Sequence, residues 1–110
     1  MMKKKGSWTS VVCVASLCIV SVSHAAEHLV EQKDKKFSKE ILKVKVGDTI
    51  KFKNMDNFNH NIFSLSDAKS FDLGSYPQGQ ERSVVMDKPG KVEVECSIHP
   101  DMKMVVEIEK

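Results

Sequence analysis

The sequence predicts an all-β domain, either an antiparallel sandwich or a small barrel, and three observations carry that reading. Short runs alternate apolar and polar residues with a period of two, as in Glu40-Ile41-Leu42-Lys43-Val44-Lys45-Val46 and Lys91-Val92-Glu93-Val94-Glu95. A strand with one buried face has that period. Turn-forming residues separate the runs, at Gly47-Asp48, Asn54-Met55-Asp56-Asn57 and Asp87-Lys88-Pro89-Gly90, each with a backbone reason to bend. No segment carries convincing 3.6-residue periodicity, an internal repeat or low-complexity composition. Six or seven short strands punctuated in this way bury one face each against a facing sheet.

Taken in order, the first element is a strand near Glu27 to Gln32, followed by a polar link from Lys33 to Lys36. Glu40–Val46 and Thr49-Ile50-Lys51-Phe52-Lys53 alternate most clearly, with Gly47-Asp48 as a tight turn between them. A third clear strand runs from His60 to Leu65. Between Ser66 and Gln80 the pattern weakens, and Phe71 to Tyr76 reads as an excursion with a short strand at most. Glu81–Met86 is a strand stopped by the Pro89-Gly90 turn, Lys91–Glu95 delivers Cys96 at its end, and Met104–Glu109 closes the fold.

The start of the chain does not belong to that domain. Lys3, Lys4 and Lys5 precede an apolar run from Trp8 to Val22, and Ser23-His24-Ala25 puts small residues at the two positions a signal peptidase reads. This is the pattern of a secretory signal over residues 1–25, cut between Ala25 and Ala26. The run is interrupted by Thr9, Ser10, Ser16 and Ser21 and falls short of the ~20 apolar residues of a spanning helix. Leu17 before Cys18 and Val12 before Cys13 lack the small residue a lipoprotein site needs. The mature chain, 26–110, is then one small exported domain of 85 residues, periplasmic or otherwise extracytoplasmic, with no stable membrane insertion. The 17 basic residues less the three leader lysines leave 14 against 15 acidic, a net −1. Charges of both signs are interspersed, so nothing marks a nucleic-acid partner.

Cysteine usage sharpens the reading. Cys13 and Cys18 leave with the signal, and Cys96 remains alone. An exported domain with one thiol is no disulfide scaffold, and a leftover cysteine in an oxidising compartment calls for intermolecular pairing, inert burial or metal ligation. Ligation is favoured by the neighbours: Cys96-Ser97-Ile98-His99-Pro100-Asp101-Met102-Lys103-Met104 puts a thiolate, an imidazole and two thioethers within nine residues. Two His, one Cys and a weak axial Met form the ligand set of a blue-copper electron-transfer site. Pro100 restricts His99 to extended backbone, which suits a tight loop that turns its ring inward.

The second His follows by elimination. His24 leaves with the signal, His28 sits near a fraying terminus, and His60 remains. Asn61 beside it is suited to tie its loop to that of Cys96, in the way ligand imidazoles are held by outer hydrogen bonds. The axial position is open between Met102 and Met104. Met104 begins the last strand, where alternation with Val106 and Ile108 points it into the core, whereas Met102 lies in the loop and is preferred.

These residues resemble a known family. Val46-Gly47-Asp48-Thr49-Ile50 with Phe52, His60-Asn61-Ile62, Pro89-Gly90 and Cys96-Ser97-Ile98-His99-Pro100-Asp101-Met102-Lys103 are similar to the cupredoxins, the type 1 blue copper proteins. Within them the resemblance is to the amicyanin and plastocyanin-like group with a short ligand loop. The resemblance covers most of Phe37 to Lys110 and implies a Greek-key β-sandwich holding one copper ion. It implies His60, Cys96, His99 and Met102 as the metal positions. It implies Asn61 as the residue whose side chain braces the Cys loop, through Ser97, and whose backbone amide points at the sulfur. A five-residue spacing from His to Met, as in plastocyanins and pseudoazurins, would select Met104 instead. His99 would be the ligand whose edge reaches the surface, with Met55, Phe58, Ile98 and Pro100 as an apolar docking patch for a redox partner protein.

The implied function is a soluble, monomeric one-electron carrier and not an enzyme. The alternative is a periplasmic copper-binding or delivery protein that uses the same ligands without an electron-transfer role. A Cys96–His99 nucleophilic dyad lacks an oxyanion motif and a third orienting residue. A multicopper enzyme would need His clusters that three mature histidines cannot supply.

Overall fold

The computed structural model describes residues 24–110, so the leader expected over residues 1–25 lies almost wholly outside the described residues. Nine strands follow in order: β1 (Glu27–Lys33), β2 (Lys36–Phe37), β3 (Ile41–Lys45), β4 (Thr49–Asn54), β5 (His60–Ser66), β6 (Lys69–Tyr76), β7 (Glu81–Val85), β8 (Gly90–Cys96) and β9 (Lys103–Glu109). They form a four-stranded sheet, β2-β1-β4-β7, and a five-stranded sheet, β3-β9-β8-β5-β6. The alternation seen in the sequence sorts side chains between the sheets and solvent. Leu42 and Val44 of β3, Ile50 and Phe52 of β4, Val92 and Val94 of β8, and Val106 and Ile108 of β9 all turn inward into one apolar core. Among the described residues no helix is long and apolar enough to cross a membrane.

The fold departs from the sequence expectation in three places. Gly47-Asp48 does turn the chain between β3 and β4, but the two strands enter different sheets. β3 pairs in parallel with β9, and β4 pairs in parallel with β1. The other five pairings are antiparallel. The inward residues of β3 and β4 thus reach one core from two different sheets, which a flat hairpin would not allow.

The segment from Ser66 to Gln80 is the second departure. It contains β6, the longest of the nine strands at eight residues, antiparallel to β5, with a register irregularity between Asn61 and Phe63. Ser70, Asp72 and Gly74 dilute its strand propensity, while Phe71 packs against Phe52 of the facing sheet at 6.5 Å between ring centroids. Tyr76 is fully buried, and its hydroxyl donates to Gln32 Oε1 of β1 at 2.8 Å. That bond joins the two sheets through the core.

Thirdly, the polar link at Lys33–Lys36 is a hairpin turn. Asp34 and Lys35 have φ of 55° and 61°, the left-handed pair of a type I′ turn. At the other end of the domain, Gly90 has φ of 142° and a Cβ placed there would stand 2.7 Å from the Ala68 Cβ. Only glycine fits both conditions.

Asp48 pins the corner between β3 and β4. Its carboxylate accepts from the Ala26 and Lys45 amides and from His28 Nε2, each at 2.9 Å. The His28 bond, with those amides, lowers its pKa from 3.8 to about 2. A carboxyl whose folded pKa is depressed contributes stability that is present above its unfolded pKa and is lost as pH falls through the folded value. Asp48→Asn is therefore expected to lower denaturant stability at neutral pH, with the deficit relative to wild type shrinking between about pH 4 and pH 2. A deficit constant across that window would contradict this account.

Candidate metal centre

Cys96 ends β8 on the inward parity of Val92 and Val94, so its sulfur enters the end of the core. It is a free, buried thiol. His60 opens β5 on the inward parity of Ile62 and Ser64 and has no exposed surface. The antiparallel register Ile62↔Cys96 and Phe63↔Glu95 brings these two residues together across 36 positions of chain. His99 lies in the loop that joins β8 to β9. That loop is closed by the Met102 amide donating to the His99 carbonyl at 2.9 Å and the Cys96 amide donating to the Met102 carbonyl at 3.3 Å.

The result is three donors facing one point. His60 Nδ1 and His99 Nδ1 each stand 3.6 Å from Cys96 Sγ, and the three ligand atoms lie within 4.8 Å of one another. Metal–sulfur and metal–nitrogen bonds of about 2.3 and 2.0 Å, opened to a tetrahedral or trigonal angle, separate sulfur from nitrogen by about 3.5–3.7 Å. Both observed separations fall in that range, so the residues fit a metal ion without rearrangement.

The surroundings orient each donor. His60 Nε2 is 2.8 Å from Asp56 Oδ2. An ionised carboxylate only accepts, so Nε2 carries the proton and Nδ1 keeps the lone pair that faces the sulfur. Burial alone would raise the Asp56 pKa; the His60 bond and the amides of Lys35 and Asp34 outweigh it and hold the carboxyl below its usual value. Those amides, at 3.1 and 2.6 Å, belong to the β1–β2 turn, so one carboxylate fixes both the turn and the imidazole. Asn54 holds Asp56 in turn: its Oδ1 accepts from the Asp56 amide at 2.8 Å, and its Nδ2 donates to the carbonyls of Phe58 and Tyr76.

Phe58 sits edge-on to both rings, 5.3 Å from His60 and 5.2 Å from His99, while the two imidazoles are 5.0 Å apart. His99 is the one partly exposed member of the three. Partial burial, then the nearby His60 ring and Lys35 ammonium, lower its pKa, which favours the neutral ring that a metal requires.

The sulfur is also bridged to β5. The Asn61 amide donates to Cys96 Sγ at 3.4 Å, and the Ser97 amide donates to the Asn61 carbonyl at 3.0 Å. The amide-to-sulfur contact stands where the resemblance implied. The brace to Ser97 differs: it runs main chain to main chain, and no hydrogen bond from the Asn61 side chain accompanies it among the described residues. Once β5 and β8 are in register the backbone makes the tie by itself.

Met102 and Met104 are both buried, each with 2% of its surface exposed. Met104 pairs with Val94 in the β8–β9 ladder. Met102 stands across from Cys96 itself, through the Cys96 amide bond to its carbonyl. His28 takes no part in this cluster, being held by Asp48 in the paired strand β1 and not frayed. Asp56 is the residue that sequence reasoning missed. It reads as one more turn former, and only its place four residues before His60 hints at another role.

Comparison with known proteins agrees with this geometry. A family model, copper binding proteins of the plastocyanin/azurin family, matches residues 24–109. The methylamine utilization protein MauL of Methylorubrum extorquens is 34% identical over 68 residues, which span 61% of this chain and 60% of MauL. A mutant of amicyanin in its reduced state superposes with a TM-score of 0.70 at 25% identity, over 80% of this chain and 86% of amicyanin. Two further likenesses are of fold alone. A purple cupredoxin from Nitrosopumilus maritimus has TM-score 0.66 and 22% identity, over 74% of this chain and 99% of that one. The copper-containing nitrite reductase of Thermus scotoductus has TM-score 0.71 and 23% identity, over 88% of this chain but 25% of the enzyme. With a match across nearly all the described residues, and a thiolate–imidazole cluster fitted to a type 1 copper site, the chain belongs to the plastocyanin/azurin family of copper binding proteins.

Proposed function

We propose that the chain is an exported, soluble blue-copper carrier of single electrons, with His60, Cys96, His99 and Met102 as its metal ligands. The observation that carries this reading is the pair of 3.6 Å Nδ1–Sγ separations around one buried thiol. Copper bound there supplies a one-electron Cu(II)/Cu(I) couple. The chain's own part is to hold two imidazoles and a thiolate in place before the metal arrives, so that little moves when its charge changes. The Asn61 amide on the sulfur and the Asp56 carboxylate behind His60 tune the ligands from outside.

Met102 is favoured over Met104 as the axial group by register. Directly opposed residues of an antiparallel pair have Cβ atoms about 5 Å apart, and Met102 opposes Cys96 while Met104 opposes Val94.

His99 is the route to the surface, as the only partly exposed member of the three. Ile98, half exposed, lies beside it with the exposed Pro100; Met55 and the part-buried Phe58 complete the patch. This suits a brief encounter with a redox partner protein, a class of contact that buries less than about 1,200 Å². The leader pattern of residues 1–25 sends the mature chain, from Ala26 on, to the periplasm or a similar compartment, where it acts as a monomer. Copper delivery is the competing role for the same ligands, and copper-transfer assays against potential measurements separate the two.

Copper(II) added to the mature protein is expected to give an intense visible thiolate-to-copper absorption; a colourless copper complex would sink the reading. Met102→Leu, close in volume and expected to cost less than about 1.5 kcal/mol in stability, should change the potential and spectrum more than Met104→Leu. The reverse order would give the axial role to Met104. Asp56→Asn is expected to weaken copper binding about 10–100-fold in a chelator competition, because the charge that orients the His60 ring is gone. Unchanged affinity would mean that the carboxylate serves only the β1–β2 turn.

A further inference from the structure

A second group of metal donors lies at the far end of the sandwich from Cys96, where β1 and β4 begin. β4 separates the two places: Asp48 stands just before its first residue and Asn54, at its last, holds the Asp56 turn, a span of ~20 Å at strand rise. Ala26, just before β1, and His28, its second residue, are gathered on the Asp48 carboxylate. The Ala26 nitrogen donates to Oδ1 and His28 Nε2 to Oδ2, each at 2.9 Å. Asp48 is 5% exposed, whereas a quarter of the His28 side chain faces solvent.

Two features make this more than a structural pin. The first is the spacing. A cut after Ala25 turns the Ala26 nitrogen into a free amine, followed by Glu27 and then His28. The cut is well defined, because moving it one residue on would put His24 where the peptidase needs a small residue. An amine, two main-chain nitrogens and the Nδ1 of a third-position histidine close three fused chelate rings in one plane. Square-planar nitrogen donors select Cu(II) and Ni(II). Neither Glu27 nor His28 is a proline, so each main-chain nitrogen carries a proton that a metal ion can displace.

The second feature is the tautomer. Asp48 can only accept, so the His28 proton sits on Nε2 and the lone pair on Nδ1, the atom that this ring closure uses. A carboxylate behind a ligand imidazole is the usual way a protein orients one. Closing the plane requires the first contacts of β1 to open, those of Glu27 with Thr49 and His28 with Ile50. The end of a strand opens at low cost. β2 pairs only with Gln32 and Lys33, so among the described residues the other edge of β1 has no strand partner at Glu27 and His28 and gives the ion an approach.

We propose that the processed amino terminus, Ala26-Glu27-His28, is a second metal site, taking Cu(II) or Ni(II) through the Ala26 amine, the Glu27 and His28 main-chain nitrogens and His28 Nδ1, with Asp48 orienting the ring. This rests on the processing reading above and is independent of which residues hold the first copper. The set has no thiolate or thioether and so holds the oxidised ion without favouring Cu(I). It would capture Cu(II) rather than cycle it.

The test uses the exported protein with its first site already filled with copper. Intact mass should show a chain that begins at Ala26; any other first residue overturns the proposal at the processing step. Titration with Ni(II), and separately with Cu(II), should then show one further equivalent. Its ligand-field spectrum should be that of a square-planar nitrogen complex, with the thiolate-to-copper band unchanged. A single glycine added ahead of Ala26 leaves the fold and the first site alone but breaks the spacing, and should abolish the second equivalent. Asp48→Asn should weaken it about 10-fold. A second equivalent that survives the added glycine, or none at all on a chain beginning at Ala26, would overturn the site while leaving the electron-carrier reading untouched.

Discussion

The short antiparallel pairing of β5 with β8 is what the rest of the metal centre depends on. It opposes Ile62 to Cys96, and from that register the other contacts follow. The Asn61 amide falls on the sulfur, the Ser97 amide on the Asn61 carbonyl, and the His60 ring on the thiol. A slip of one residue in either strand would turn its own ligand, His60 or Cys96, out of the core, because side chains alternate faces along a strand. The inward apolar neighbours Ile62, Val92 and Val94 resist that slip, since exposing a side chain of their size costs about 1.5–3 kcal/mol. The site is thus kept in register by the burial that holds the domain.

Beneath the site runs a chain of buried polar groups that would be costly if unpaired. Gln32, Tyr76, Asn54, Asp56 and His60 are all buried and joined by hydrogen bonds in the protein. The chain links both sheets and the β1–β2 turn to one imidazole. A satisfied network of this kind specifies a single arrangement more than it adds stability. For a carrier that arrangement is the point, because two rings and a sulfur poised about a metal's width apart cost little to reorganise.

The fold class was legible because alternation is a local property. Leu42, Val44, Val92, Val94, Val106 and Ile108 announce their buried face without reference to any other strand. Pairing partners are not local. Nothing in Gly47-Asp48 says whether the chain folds back beside itself or crosses to the other sheet, and the parallel partners of β3 and β4 were missed for that reason. β6 was under-read because Ser70, Asp72 and Gly74 weaken its propensity, although Phe71 and Tyr76 anchor it through long-range contacts. Cys96, His99 and Met102 were visible as a spaced cluster, and His60 followed by elimination. Asp56 was not, because its role exists only once a turn from β1 and a ring from β5 converge on it. Between Asn61 and Ser97 the hydrogen bond joins two main chains, and residue identity says little about a bond of that kind.

The central claim is that Cys96, His60 and His99 bind one copper ion together. X-ray absorption at the copper edge of the loaded protein reads that coordination without reference to colour or partner. The account predicts one short copper–sulfur bond and two imidazole nitrogens in the same shell, with the sulfur lost in Cys96→Ser. A shell of nitrogen and oxygen alone at the filled first site would contradict it.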